Sequence, residues 1–238
     1  MKRCCSLGAA SLAFLGMVGS AHAQTAVFDQ IGDGSSFGTG FASQYFPDFA
    51  AFDTASLDDF TITGGVGQLT SVEAVVVGFT GFTSFANVQS WSIEVYSSVA
   101  SAGANLTGDV LAFTIAASSG YVTVTDLALG RFRVSLDVSS FNLSLADGNY
   151  WLAVLPTMPF NPGGQLGVVG SGINDGPSVT PNAHQANPGG GFGFGATQLI
   201  LDGGSPVNLA YRINAVPAPA ALALLGLAGL AGSRRRRG

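Results

Sequence analysis

From Phe132 to Val138 apolar and polar residues alternate without a break: Phe132, Val134, Leu136 and Val138 against Arg133, Ser135 and Asp137. A repeat of two belongs to a strand, whose successive side chains point to opposite faces. Residues 91–95 (Trp-Ser-Ile-Glu-Val) and 209–213 (Leu-Ala-Tyr-Arg-Ile) alternate in the same way. Residues 72–79, 110–116, 121–125 and 149–155 are rich in β-branched and aromatic side chains, and Gly64-Gly65, Ser118-Ser119-Gly120 and Asp147-Gly148-Asn149 punctuate them. The central chain shows no amphipathic helix, so the helical crossovers of a parallel sheet are missing. These features predict an all-β body, an antiparallel β-sandwich or jelly roll, over residues 24–215. Two stretches look irregular. Residues 24–56 suggest one early strand near Ala26-Val27-Phe28. Residues 161–195 hold 11 Gly and 4 Pro in 35 positions and read as short edge strands joined by mobile turns.

The two ends have a different character. Residues 1–23 open with Met-Lys-Arg, continue through an apolar run from Leu7 to Val18, and finish Ala21-His22-Ala23. That order is a charged region, an apolar core and a small-x-small cleavage site, the plan of a secretory signal peptide, with Gln24 as the new first residue. Cys4 and Cys5 leave with it, so the exported chain has no cysteine for a disulfide, a thiolate metal site or a nucleophile. Residues 216–238 begin Val216-Pro217-Ala218-Pro219, pass through an Ala/Leu/Gly run from Ala220 to Gly232, and close on Arg234, Arg235, Arg236 and Arg237. As a helix that run of 13 residues spans roughly 20 Å, against a hydrocarbon core of roughly 30 Å. The arginines would remain on the cytoplasmic side and leave the body outside.

This order resembles a PEP-CTERM sorting signal: an exported body, a Pro-x-Pro motif, a short apolar helix and a terminal arginine cluster. The resemblance covers about a tenth of the chain. It implies transient anchoring in the inner membrane, recognition by an exosortase near Pro217 and Pro219, and passage of the body to the outer envelope or beyond. Ala218 stands where that family usually has Glu. The segment Asp58-Asp59-Phe60-Thr61-Ile62-Thr63-Gly64-Gly65 and residues 145–154 also resemble sandwich bodies that precede such signals.

Charge narrows the chemistry. Between Gln24 and Ala215 there is no lysine, and three arginines (Arg131, Arg133, Arg212) face fourteen acids, a formal −11. Such a body offers no basic patch to nucleic acid. His184 is the one histidine outside the leader; in Thr180-Pro181-Asn182-Ala183-His184 it reads as a solvated loop residue, with no nucleophile motif nearby. One histidine and no cysteine give no zinc set. Residues 191–196 (Gly-Phe-Gly-Phe-Gly-Ala) match a loose dinucleotide pattern but follow a loop and precede a strand, the wrong context. The two glutamates, Glu73 and Glu94, are the pair a glycosidase would need, and their apolar neighbours place both on the solvent face of a sheet. Calcium is the one cofactor considered, at Asp58 with Asp59 or Asn174 with Asp175. Phe160, Phe192 and Phe194 lie in or beside the Gly/Pro loop, where they either stack on a polysaccharide or pin the loop to the sheet.

The expectation is therefore an exported, noncatalytic protein of the cell envelope or extracellular matrix. Its partners are signal peptidase and exosortase during export, with no cofactor and no nucleic acid. A carbohydrate-binding module for exopolysaccharide is the alternative. A secreted hydrolase using Glu73 and Glu94 stands third.

Overall fold

The computed structural model describes residues 24–64, 66–173 and 180–217. The signal-peptide segment with Ala21 and Ala23, the Asn174–Asp175 pair, and the tail with Ala218, Pro219 and Arg234 to Arg237 lie outside the described residues.

Two antiparallel sheets pack face to face. Strands β1 (Thr25–Asp29), β2 (Phe37–Ala42), β3 (Ala55–Ile62), β4 (Val66–Phe79), β5 (Ser90–Tyr96), β6 (Leu111–Ala116), β7 (Val122–Asp126) and β8 (Arg131–Asp137) are followed by β9 (Gly148–Thr157), β10 (Gln165–Ser171), β11 (His184–Ala186), β12 (Thr197–Leu199), β13 (Leu201–Asp202), β14 (Ser205–Pro206) and β15 (Tyr211–Pro217). Long β4 is the spine of the first sheet. Along one edge it pairs with β15 and then with β10; along the other it pairs with β8. β1 lies outside β15, β2 outside β10, and β7 outside β8. The second sheet runs β12-β11-β3-β9-β5-β6, and β13 and β14 form a small separate hairpin.

The alternation seen in the sequence selects the buried faces. Val72, Ala74 and Val76 of β4 and Val134 and Leu136 of β8 meet Phe60 of β3, Trp91, Ile93 and Val95 of β5, and Leu152 and Val154 of β9 in the main core. The phase of β4 changes at Thr70. Leu69 pairs with Ala215 and Ser71 with Asn214, so Thr70 is the extra residue of a bulge and Leu69 can face the same core as Val72. Tyr211 ties the sheets together. It is fully buried, its hydroxyl donates to the Ser56 carbonyl (2.7 Å) and it accepts from the Val154 N–H (3.4 Å).

Both outer faces are also covered in part. On the first sheet Val75, Val169 and Ala210 pack under Ile31, with Phe37 and Leu127 at the margin. On the second, Leu57, Tyr96, Ala153 and Leu155 pack against Ala102 and Leu106. Ala102 belongs to helix α1 (Val99–Ala104), capped by the Ser98 hydroxyl, which accepts from the Ser101 N–H at 3.1 Å. The sequence reading, which found no helix in the body, missed it because six small residues carry no 3.6-residue repeat.

The two irregular stretches are also more ordered than expected. Residues 24–56 supply β1, β2 and the start of β3. Within 161–195, β10 is an inner strand between β4 and β2, and β11 an inner strand between β3 and β12. Neither is an edge. Gly167 permits this position: a Cβ there would stand 2.2 Å from the Phe41 carbonyl oxygen. The glycine content that suggested a loop instead allows close packing of strands.

Chain direction fixes where the ends lie. Pro217 pairs with Val66 at the start of β4, and Thr25 pairs with Ala215. Both the N-terminal and C-terminal exits are thus at one end of the sandwich. Thr80, following the last residue of β4, is at the other, roughly 40 Å away at ~3.3 Å per residue.

Candidate functional site

At the Thr80 end an aromatic slot is built from three loops. The first follows β2. Its hydrogen bonds close three-residue turns, Phe49 N–H to Phe46 O (3.0 Å) and Phe52 N–H to Phe49 O (2.8 Å). A turn of three residues stacks every third side chain on one face, which lines up Phe46, Phe49 and Phe52. The second loop is the helical turn α2 (Phe160–Gly163), held to the first by Asp48, whose carboxylate accepts the N–H groups of Phe160 (2.8 Å) and Asn161 (3.0 Å).

The third loop, after β11, brings in Phe192. Asn187 fixes it. Fully buried, its Nδ2 donates to Ala51 O (2.9 Å) and Asp53 O (2.8 Å), and its Oδ1 accepts from the Phe192 N–H (3.0 Å). Gly191 N–H donates to Ala51 O at 2.8 Å. A Cβ on Gly191 would stand 2.6 Å from that same oxygen, so this contact requires glycine.

The slot encloses about 350 Å³ between Phe46, Phe49, Phe52, Phe160 and Phe192, with Thr80 and Gln165 beside them. Phe46 is buried, while Phe49, Phe52, Phe160 and Phe192 remain 49, 40, 36 and 36 % exposed. The rings meet edge to face: Phe49 with Phe160 at 6.0 Å and 84°, Phe52 with Phe192 at 5.4 Å and 85°. Phe194 continues the row, near-parallel to Phe192 at 6.2 Å and 18°. Of the phenylalanines singled out from the sequence, Phe160, Phe192 and Phe194 therefore come together. Phe46, Phe49 and Phe52 went unnoticed, although their spacing of three in Phe46-Pro47-Asp48-Phe49-Ala50-Ala51-Phe52 was visible.

The other candidates stand apart. Glu73 lies on the outer face of the first sheet, where Arg212 Nη1 meets its Oε2 at 3.3 Å, and Arg212 also bridges Asp29 at 3.0 Å. Glu94 lies in the second sheet, on the face opposite Ile93, and is buried rather than solvated. The two glutamates occupy outer faces of different sheets and cannot flank one glycosidic bond. Burial pushes the Glu94 carboxyl up to about 7, against the N–H of Gly108 at 2.8 Å and the hydroxyl of Tyr45 at 3.5 Å. Its burial corrects the solvent-face expectation: α1 and Leu106 roof that face.

Asp58 and Asp59 are neighbours on β3 and point to opposite faces, so they cannot chelate one ion together. Asp58 is buried, accepts from the Leu209 N–H at 2.8 Å, and is raised well above the usual carboxylate range by burial. Among the described residues no three His, Cys, Asp or Glu side chains gather as a metal set. His184 is on a strand rather than a loop: it sits in β11, paired with Leu57 and Leu199, its Nδ1 2.6 Å from Asn182 O and its ring edge-on to Trp151 at 5.3 Å. Residues 191–196 form a turn that leads into β12. Val216 and Pro217 close β15, and Gln24 Nε2 donates to Ser71 Oγ at 3.2 Å. Among the described residues no helix is long and apolar enough to cross a membrane.

Comparison with protein-family models, with curated proteins and with solved structures finds no match to this chain. The aromatic slot is accordingly read from its own chemistry. It offers hydrocarbon contact and shape, and its polar neighbours Asp48 and Asn187 are engaged in holding its loops.

Proposed function

We propose that this is an exported, noncatalytic protein of the cell envelope or extracellular matrix that acts by adhesion. The observation that supports the adhesive role is the aromatic slot. Four half-exposed phenylalanines around one cavity cost solvation free energy in a lone soluble body, and such patches mark contact sites. Export and sorting rest on the two terminal segments: a signal peptide cut between Ala23 and Gln24, and a PEP-CTERM-like tail carrying Pro217, Pro219 and the arginine cluster. In this reading signal peptidase and exosortase are the partners in transit, the apolar tail holds the chain briefly in the inner membrane, and neither cofactor nor nucleic acid takes part. The jelly-roll description of the sandwich belongs to the same proposal.

A second reading, a module for exopolysaccharide, draws support from the near-parallel rings of Phe192 and Phe194, which could stack on a sugar face. Mass spectrometry of both termini of the protein recovered from its own cells tests the route. An N-terminus at Gln24 and loss of the residues after the Pro-x-Pro motif are expected. An intact C-terminus in the membrane fraction would reduce the sorting signal to a plain anchor, and an intact N-terminus in the cytosol would end the reading.

A further inference from the structure

The geometry points to the occupant of the slot: a basic segment of another polypeptide that inserts a bulky apolar side chain. The inference deepens the adhesive reading and does not depend on the export route.

Ring arrangement is the first ground. Phe49, Phe52, Phe160 and Phe192 meet at 84 to 86°, so edges and faces alternate around a cleft instead of lying in one plane. A pyranose stacks on a flat face and needs hydrogen-bond partners for its hydroxyls, which are costly to strip of water without replacement. Among the described residues, Thr80 and Gln165 are the only polar side chains lining this cavity. An aliphatic or aromatic side chain suits it better.

Charge is the second. The charged residues of the loops that form the slot, 44–54, 80–84, 158–165 and 187–196, are Asp48 and Asp53, with no lysine or arginine. The residues from 24 to 215 carry a formal −11. Anionic lipid and acidic polysaccharide are therefore repelled, while flanking Lys or Arg on a partner is attracted.

Other occupants fit poorly. The chain's own ends leave from the far end of β4, where Pro217 pairs with Val66. A second copy brings the same negative charge. The four half-exposed rings present roughly 300 Å² at ~200 Å² per ring, against about 800 Å² per partner in a stable dimer. That area suits one anchored side chain of a peptide.

The test uses the full chain and a short labelled peptide of lysines and leucines around one phenylalanine, followed by fluorescence anisotropy. Its glutamate counterpart, a neutral oligosaccharide and anionic phospholipid vesicles are run beside it. The basic peptide should bind saturably, weaken as salt is raised, and lose at least about tenfold in affinity with Phe52→Ala or Phe49→Ala. Leu129→Ser, at a site 89 % exposed on the β7–β8 turn, should leave binding intact. Thermal unfolding of each variant shows whether it is folded. Equal binding of the acidic peptide, no binding of the basic one, or full affinity in both folded phenylalanine variants overturns the proposal. Preferential binding of the oligosaccharide or of the vesicles also overturns it and assigns the slot to sugar or to lipid. None of these outcomes alters the terminal masses that test the route.

Discussion

Replacing Asn187 with Ala isolates the physics of the slot. The native side chain makes three hydrogen bonds in a fully buried place. Ala51 O keeps its bond from Gly191 N–H after the change, while Asp53 O and the Phe192 N–H both lose the partner that Asn187 gave them. Each of these two losses is worth about 1 kcal/mol net, rising to about 2 kcal/mol where the group is kept from water. The sum is a loss of ~2–4 kcal/mol, or a fall in Tm of roughly 5–15 °C for a body of this size. Asn187→Asp sharpens the test. Its carboxylate still accepts from Phe192 but faces the Ala51 and Asp53 carbonyls with no proton to give, so it should be at least as damaging at neutral pH and recover in part when acid protonates it. Urea denaturation gives the free energies, and hydrogen exchange gives the locality: the Phe192 amide should lose protection while amides of β9 keep theirs. A loss below about 1 kcal/mol, or Asp behaving as Asn does at pH 7, would refute the assignment of Asn187 as the clamp.

Glu94 carries a pH prediction. Its folded value of about 7 exceeds its ordinary 4.5, so between those values the folded chain binds more protons, and stability falls as pH rises. The loss approaches ~3 kcal/mol as an upper bound; Glu94→Gln should remove that part of the slope in urea titrations from pH 4.5 to 8.5, and an unchanged slope would contradict it. At the β7–β8 turn Ala128 and Leu129 both have positive φ, 69° and 53°; Leu129→Asn should raise stability by ~0.5–1 kcal/mol, because Asn tolerates the left-handed region, and a lower Tm would count against this. Arg212→Gln removes the cation between Glu73 and Asp29 and should destabilise by ~2–4 kcal/mol, whereas the more exposed Arg133, 4.0 Å from Glu73, should cost under about 1 kcal/mol as Gln.

Legibility in the sequence followed the number of faces a strand buries. Residues 132–138 bury one face, alternate, and form β8 nearly as read. β10 is buried on both faces, so its Leu-Gly-Val-Val-Gly shows no alternation, and its glycines looked like loop. Glu94 was misplaced for a related reason. Alternation says which residues share a face, but not that α1 and Leu106 cover the outer one. At the site, Phe160, Phe192 and Phe194 stood out because glycine and proline surround them. Phe46, Phe49 and Phe52 did not, since a repeat of three is neither strand nor helix, and the loops they join are more than a hundred residues apart. Asn187 gave no signal: a clamp made through main-chain groups leaves no pattern in side-chain chemistry.

The opposed placement of slot and chain ends has a mechanical side. Tension applied between the slot and the C-terminal end of β15 enters near Thr80 and at Pro217, the two ends of the β4 ladder. Strand β15 is then pulled along its length against β4, so the bonds from Tyr211 to Pro217 share the load in shear and do not open one at a time like a zipper. A ladder loaded in shear resists rupture better than one that unzips, and stretching by atomic force microscopy should show a higher unfolding force along this axis than across it.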